Sequence, residues 1–427
     1  MDIEYLVAAD FNRAWLNFEL DLPLKPGPNG EPNPFYVDRP GNPAAELEDA
    51  LLAPYWQPPK FFFSGHRGCG KSTELLRLAA NPDIKAKFYP VHFSIRDEAD
   101  INDLDFRDIL LAIGGRLYRD YVTGGGRLPD QLLKELDRWR GTIEAQVVTR
   151  LGGPVTEGEL GGKLTWFFGE VSGKMKLEPT TRQEIRRVVE RNITGLIDVI
   201  NLISTTILAQ EKRLPLVLID DLDKPDLDKA VEIFHGHNQI MLQPSCAIVY
   251  TISSALFYSP EFYAIRNRAV FLPNVKLHAR CDPTTRYQDG YATLGEFVYR
   301  RMLPNLITED ARDAAIAHSG GVFREMGRVM RAAISRARRR KAAQVESVDV
   351  AWAVTEIRNE YRRILTEDDL RYLGEVARHN RLESHARLRP LMQILAVLEY
   401  RNAENWCDVH PAIVELLEEQ NGHGSAV

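Results

Sequence analysis

The sequence predicts an α/β protein in which a parallel sheet is covered by helices on both faces. Five short apolar runs have the composition of buried strands, and they lie at KFFFSG (60–65), KFYPVHFSI (87–95), LPLVLIDD (214–221), CAIVYTIS (246–253) and AVFLPNVKL (269–277). Segments with helical periodicity separate these runs, and this alternation favours a doubly wound sheet. A glycine-rich loop between the first run and the next helix supports the same fold.

Length and composition limit the class of protein. At 427 residues and 48.5 kDa the chain has room for two or three domains of about 150 residues each. A hydrophobic share of 44% with 27% charged residues excludes wholesale disorder. The 54 Lys and Arg residues against 60 Asp and Glu residues give a net charge of −6. This charge argues against a positively coated nucleic-acid binder but leaves a local basic patch open.

Neither secretion nor zinc binding is indicated. The four cysteines lie far apart without a CxxC pair, which argues against a disulfide framework or a zinc ribbon. Residues 1–15 contain no basic-then-apolar signal region, and no stretch approaches the ~20 apolar residues of a membrane span. We therefore expect a cytoplasmic protein with no membrane partner.

The N-terminal part of the chain precedes the first strand. Residues 1–59 are expected to form an arm with a short helix, a proline-rich loop and the helix AAELEDALLA (44–53). Residues 60–283 follow as the sheet core, residues 284–344 as a helical region and residues 345–427 as a further compact unit.

Residues 97–212 are predicted to be a helical insertion in this core. Lys71 and Asp220 are separated by far more chain than the one or two βα units that a minimal core requires. Residues 182–210 have the apolar spacing of one long amphipathic helix. The glycine-rich residues 152–176 predict a hairpin or a mobile loop. The insertion either forms a surface for partner docking or oligomerisation, or has a structural role alone.

Residues 65–72 match G-x-x-x-x-G-K-[ST], and the match lies between a strand and a helix. Glycines allow successive main-chain amides to turn towards phosphate oxygens, and the helix N-terminus adds positive potential. Lys71 is expected to reach the β- and γ-phosphates, and the Ser72 hydroxyl to ligate Mg²⁺. We interpret Cys69 as a small residue tolerated in the loop rather than a redox switch. The predicted site for ATP comprises Gly65, His66, Arg67, Gly68, Cys69, Gly70, Lys71, Ser72 and Thr73.

Two acids end the strand at 214–221. Asp220 is expected to hold the Mg²⁺ shell, and Asp221 to orient or deprotonate the attacking water. Asp223 either polarises the site or is a solvated acid at a helix start, and we favour the solvated acid. At the tip of the next strand, Thr251 or Ser253 either bonds water or the γ-phosphate or simply caps the strand end.

In this order of phosphate loop, Asp-Asp strand and polar strand tip, the chain resembles the AAA+ and STAND branches of P-loop ATPases. SGGVFREM (319–326) resembles the Gly-Gly-x-x-Arg start of the sensor 2 helix in their helical lid. The resemblance implies that Arg324 reaches the γ-phosphate from the lid; an exposed arginine at a helix start is the alternative. It also implies a P-loop NTPase core with a parallel sheet covered by helices, followed by a helical lid and a winged-helix-like domain.

Further segments resemble origin-recognition-type members of the same group. Arg266 and Arg268 precede the last core strand, where these initiators carry an arginine finger that completes a neighbouring subunit's site; surface arginines are the equal alternative. The segment PFYVDR (34–39) resembles the one that wraps adenine, which implies base contacts from Tyr36 and Val37. Residues 388–420 resemble the end of a winged-helix domain, with a β-wing between two helices.

Three functions are compatible with these motifs. We favour a regulatory ATPase that acts as a conformational or assembly switch through self-association or an effector protein, as STAND-like proteins do in bacterial signalling and defence. The second is a DNA-binding ATPase resembling replication initiators or transposition regulators. Residues 324–341 carry eight basic residues against Glu325, which suits phosphate contacts but also a solvated helix C-terminus. A small-molecule kinase is third, because no acceptor pocket is evident.

Overall fold

The computed structural model describes residues 4–21, 24–28, 30–147, 160–381, 385–402 and 404–423. Its centre is a five-stranded sheet with the order β2-β3-β4-β1-β5, and every pairing is parallel. The strands are β1 (Lys60–Gly65), β2 (Phe88–Ser94), β3 (Leu214–Asp220), β4 (Ala247–Ser253) and β5 (Ala269–Phe271). The predicted class, an α/β core built on a parallel sheet, is confirmed.

Helices cover both faces of the sheet. Residues alternate along β3, so that Val217 and Ile219 join the core shared with residues 97–212, while Leu216 and Leu218 face the other side. The helices up to the end of the core are α1 (Phe11–Asn17), α2 (Ala45–Leu52), α3 (Lys71–Ala80), α4 (Pro82–Lys87), α5 (Phe106–Thr123), α6 (Asp130–Gln146), α7 (Leu160–Leu177), α8 (Pro179–Arg191), α9 (Ile193–Glu211), α10 (Leu227–Val231) and α11 (Asn238–Met241).

A mainly helical region follows the sheet. Its elements are β6 (His278–Ala279), β7 (Asp282–Arg286), α12 (Gln288–Tyr299), α13 (Glu309–His318), α14 (Phe323–Arg339), α15 (Ser347–Ile364), α16 (Glu367–His379), α17 (Leu388–Gln393), β8 (Val397–Arg401), β9 (Asn405–Val409) and α18 (Val414–His423). The antiparallel hairpin β8–β9 lies between two helices, in the predicted order. Helices α12 to α18 share one hydrophobic core.

Three local predictions were wrong. The segment expected to be a hairpin or loop contains the helix α7, because its apolar side chains, among them Leu164 and Phe168, lie on one buried face; residues 152–159 lie outside the described part of the chain. The single helix expected over residues 182–210 is broken at Asn192, whose side chain bonds the carbonyl of Val188 at 2.8 Å. Strand β5 ends at Phe271, short of 277, because Pro273 has no amide to donate.

Helix α9 is long and strongly apolar. Of the helices described, it alone passes a length-and-composition test for a membrane span, with a mean hydropathy of 1.5. The expectation that no stretch approaches the length and apolar composition of a membrane span was therefore wrong for α9. Core helices pass the same test, and Leu196, Ile200, Ile203 and Ile207 of α9 are fully buried in the core that α5 also joins.

Candidate nucleotide-binding site

A cavity of about 790 Å³ lies at the carboxyl edge of the sheet. The phosphate loop and the ends of β2 and β3 form one side, and the N-terminal arm and helices α12 and α14 form the other. The carboxyl ends of parallel strands are where open α/β sheets bind their ligands. Of the predicted loop residues, Arg67, Gly68, Gly70, Lys71, Ser72 and Thr73 line this cavity.

The glycines of the loop allow close approach of neighbouring segments. Gly68 and Gly70 have φ angles of +79° and +106°, which disfavour other residues. A Cβ atom at Gly68 would overlap the side chain of Arg324, and one at Gly70 would lie 2.8 Å from Nη2 of Arg39. The absence of side chains at Gly68 and Gly70 therefore lets other groups approach the main chain of the loop closely, and phosphate binding to main-chain amides requires such an approach.

Lys71 is buried and all its donors are directed to partners. Its Nζ donates to the carbonyls of Gly65 at 2.7 Å and His66 at 3.0 Å, and it pairs with Asp223 at 2.9 Å. Burial opposes the charge, but the combined effect of Asp223, Cys69 and Asp220 outweighs it, so that the pKa of Lys71 lies above its ordinary value. The expectation that Asp223 is a solvated acid was wrong, because its side chain is only 4% exposed.

Asp220 is a buried carboxyl beside Ser72. Burial and the nearby charges of Asp221 and Asp223 raise the pKa of Asp220 to about 6, although a hydrogen bond with the Ser72 hydroxyl opposes the shift. Among the described residues, no Lys or Arg forms an ion pair with Asp220. Unpaired negative charge next to a hydroxyl oxygen fits a hard divalent cation, so Asp220 and Ser72 are suited to hold Mg²⁺.

Asp221 is held apart from Asp220 by the backbone. It has a φ of +65°, and its carboxylate accepts a hydrogen bond of 2.6 Å from the hydroxyl of Ser94 at the end of β2. Its own amide donates to Asp220 at 2.8 Å. The two acids therefore have separate partners, which suits the separate roles predicted for them.

Arg324 reaches the cavity from the start of α14. Its amide donates to the carbonyl of Gly68 at 3.2 Å, and its guanidinium pairs with Asp21 of the N-terminal arm at 2.8 Å. Lid, arm and phosphate loop therefore meet at this arginine. Tyr36 and Val37 also line the cavity, and their contacts with a base stay a prediction.

Several predicted residues lie away from this cavity. The Thr251 hydroxyl donates to the carbonyl of Ile219 at 3.1 Å and accepts from the amide of Leu222 at 2.9 Å, so the geometry lends no support to a catalytic role. Ser253 caps the amide of Ala255, which is the alternative interpretation. The remaining residues of this group do not line the cavity: Gly65 and His66 are the buried first residues of the loop, Cys69 is packed in the core, and Arg266 and Arg268 are exposed.

Sequence reasoning missed several residues of the site. Ser94 could have been found, because it is a polar residue at the end of a parallel strand, the same argument that was applied to Thr251. Arg39 lies in the segment 34–39 but was not predicted as a site residue; its guanidinium lies 4.9 Å from the ring centroid of Phe323. No sequence signal connects Asp21 to the site.

The basic segment 324–341 forms ion pairs within the chain through four of its eight basic residues. Its ion pairs are Arg324–Asp21, Arg328–Glu325, Arg328–Glu360, Arg331–Glu19, Arg340–Glu346 and Arg340–Asp349. Arg336 and Arg339 lie against the ring of Trp352, at 5.5 and 4.6 Å from its centroid. Much of the charge proposed for DNA phosphates therefore already has partners.

No family model matches this chain, and no curated protein matches it. Similar solved structures include Cdc6p from Pyrobaculum aerophilum, at 10% identity and a TM-score of 0.42, covering 95% of this chain and 98% of that one. The DNA-bound Drosophila ORC gives 11% identity and a TM-score of 0.41, covering 98% and 95%.

The Thermotoga maritima RuvB Holliday junction branch migration motor is also similar, at 11% identity and a TM-score of 0.34, covering 88% of this chain and 92% of that one. At such identities and TM-scores, the strand order and the loop at 65–72 remain the basis of the fold assignment. The chain has a P-loop α/β core followed by helical regions, and the solved structures similar to it include those of Cdc6, ORC and RuvB proteins.

Proposed function

We propose that this protein binds and hydrolyses ATP and acts as a nucleotide-dependent conformational or assembly switch. The observation that carries the proposal is the convergence of Lys71, Asp220, Asp221 and Arg324 on one cavity, although they come from distant parts of the chain. A buried lysine on a glycine loop suits phosphate, and two acids with separate partners suit a cation and a water.

Each residue has a defined task in this mechanism. The amides of the loop and Lys71 bind the β- and γ-phosphates, and Asp220 with Ser72 holds Mg²⁺, which would neutralise charge on the phosphates. Asp221 orients the attacking water and accepts its proton, while Ser94 fixes the carboxylate in position. Arg324 pairs with the terminal phosphate in place of Asp21.

The switch follows from where Arg324 is attached. It begins α14, which shares a hydrophobic core with α15 to α18. A guanidinium that prefers triphosphate to diphosphate therefore changes the position of the whole C-terminal part when the terminal phosphate is lost. A cytoplasmic role in bacterial signalling or defence is the biological setting that we propose for such a switch.

Self-association is part of this proposal. Arg266 and Arg268 are exposed and lie outside their own cavity, as residues that act on a neighbouring copy must. If they do so, mixing Arg266→Ala with Asp221→Ala protein restores part of the activity that each lacks alone. DNA binding ranks second, because four of the eight basic residues in the segment already form ion pairs within the chain.

The proposal is tested by ATP binding and turnover in matched variants. Asp221→Ala should bind ATP with near-normal affinity and lose at least about a hundredfold in kcat, since it removes only a group used in the reaction. Ser94→Ala should lose about tenfold in kcat with little change in KM. Asp228→Ala, which replaces an exposed acid in the first turn of helix α10, serves as the control. Normal hydrolysis by Asp221→Ala would disprove its role.

A further inference from the structure

The ring of His66 contacts the C-terminal hairpin rather than the cavity. His66 belongs to the phosphate loop, and its side chain is 0% exposed. Its Nε2 accepts a hydrogen bond of 2.9 Å from the amide of Glu399 on β8. Burial and the charge of Lys71 lower the pKa of His66 to about 3, so the ring stays neutral and able to accept this bond near pH 7.

The main chain of the same residue contacts the lysine of the site. The carbonyl of His66 accepts hydrogen bonds from Nζ of Lys71 at 3.0 Å and from the amide of Cys69 at 3.2 Å. A single residue therefore connects β8, through its ring, to Lys71, through its peptide. Because the ring is enclosed in a close-packed interior, a displacement of β8 is transmitted to that carbonyl.

The hairpin is held in this place by other parts of the chain. The carbonyl of Glu399 accepts from Nδ2 of Asn274, in the linker after β5, at 3.1 Å. The hydroxyl of Tyr400 donates to the carbonyl of Gly320, just before α14, at 2.8 Å. The hairpin therefore lies between the phosphate loop, the linker and the start of the lid helix, and contacts all three.

We propose that the hairpin β8–β9 is a positioning element of the nucleotide site, which it holds in the phosphate-binding form through His66. The proposal rests on the function proposed above for its ligand, but the contact itself does not. A loop that is already ordered binds phosphate without the entropic cost of ordering. By thermodynamic reciprocity, bound nucleotide stabilises the docked hairpin to the same extent. His66 is a positioning residue, because its ring acts on nucleotide only through the loop.

The test measures ATP affinity and hydrogen exchange at amides 397–401 in the full chain. His66→Phe keeps a ring but removes the acceptor, and we expect ATP affinity to fall about tenfold. Exchange at 397–401 should become at least about tenfold faster, and added nucleotide should no longer slow it. Tyr400→Phe removes only the hydroxyl that contacts Gly320, away from the cavity, and should weaken ATP binding by about twofold to fivefold.

Tyr400→Phe keeps the test decisive if His66→Phe does not fold. Unchanged ATP affinity together with faster exchange at 397–401 in either variant would overturn the coupling. If exchange at 397–401 is as slow in His66→Phe as in the wild type, the hydrogen bond between His66 and Glu399 does not hold the hairpin in place. Failure of the wild-type protein to bind ATP would overturn the proposed function and the coupling together, which the other outcomes do not.

Discussion

The two sides of the nucleotide cavity each present an ion pair, and the two pairs differ in burial. On the sheet side, Lys71 and Asp223 pair at 2.9 Å with side chains that are 5% and 4% exposed. On the lid side, Arg324 and Asp21 pair at 2.8 Å, but their side chains are 31% and 84% exposed. Water and salt screen the second pair far more than the first.

This difference in burial indicates which side of the cavity can move. A buried pair loses several kcal/mol when one partner is removed, because the other charge is left uncompensated. An exposed pair contributes only about 0–1 kcal/mol, so that it separates readily. The pair on the sheet side is therefore expected to stay in place, whereas the pair on the other side separates readily, and an incoming anion could then replace Asp21.

The largest expected effect comes from breaking the buried pair. Lys71→Met leaves Asp223 unpaired, and we expect the free energy of unfolding to fall by about 3–5 kcal/mol in denaturant titrations. ATP binding should also be lost, because the phosphates lose their main cation. The double variant Lys71→Met with Asp223→Asn should recover much of the stability without recovering ATP binding. Unchanged ATP affinity in Lys71→Met would show that ATP does not bind at this site.

A second prediction tests whether the burial of a charged group, rather than the part of the chain to which it belongs, explains the difference between the two ion pairs. Glu399 belongs to the C-terminal hairpin yet is buried, and burial raises the pKa of its carboxyl to about 7, despite hydrogen bonds with Tyr258 and Asn405 and the nearby charge of Arg401. The folded protein therefore holds a proton that the unfolded chain releases near its ordinary pKa of 4.5. The resulting stability is complete below that value and disappears as pH rises through about 7.

The measurement is the free energy of unfolding between pH 5 and 8 for the wild type and Glu399→Gln. We expect the wild type to lose about 1–3 kcal/mol more than the variant over this range, since glutamine carries no proton to lose. Parallel pH profiles for the two proteins would show that burial does not raise the pKa of the Glu399 carboxyl.

The smallest expected effect comes from the exposed pair. Asp21→Asn should change the free energy of unfolding by less than about 1 kcal/mol. ATP should bind about twofold to fivefold tighter at low salt, because Arg324 no longer has a competing carboxylate, and the gain should shrink in 0.5 M salt. Glu356→Gln, at an exposed acid on α15, controls for the change in net charge. A stability loss as large as that of Lys71→Met would contradict the comparison.

Prediction from sequence succeeded where the structure depends on a local pattern. The strand β1, the loop after it and the helix α3 form one contiguous segment, so spacing alone located Lys71 and Ser72. The same holds for β3, whose continuous apolar run is typical of a strand buried on both faces. Prediction failed where composition misled, as in α7, where glycines suggested a loop but a buried apolar face stabilises a helix.

Other features have no local signal. Whether Asp223 is solvated or paired depends on whether Lys71 turns towards it, and the chain between them contains the whole insertion. The role of His66 depends on a strand more than 300 residues away. Such contacts depend on how separately formed elements pack, which short-range periodicity does not encode.

The amino-acid sequence by itself determined the phosphate loop, the acids at the end of β3 and the α/β class, because each depends on residues close together in the chain. Only the tertiary structure decided that Asp221 bonds Ser94, that Arg324 pairs with Asp21 and that His66 contacts the C-terminal hairpin. The physical reason is that hydrogen bonds and ion pairs form between groups that are close in space, and packing alone brings distant segments together.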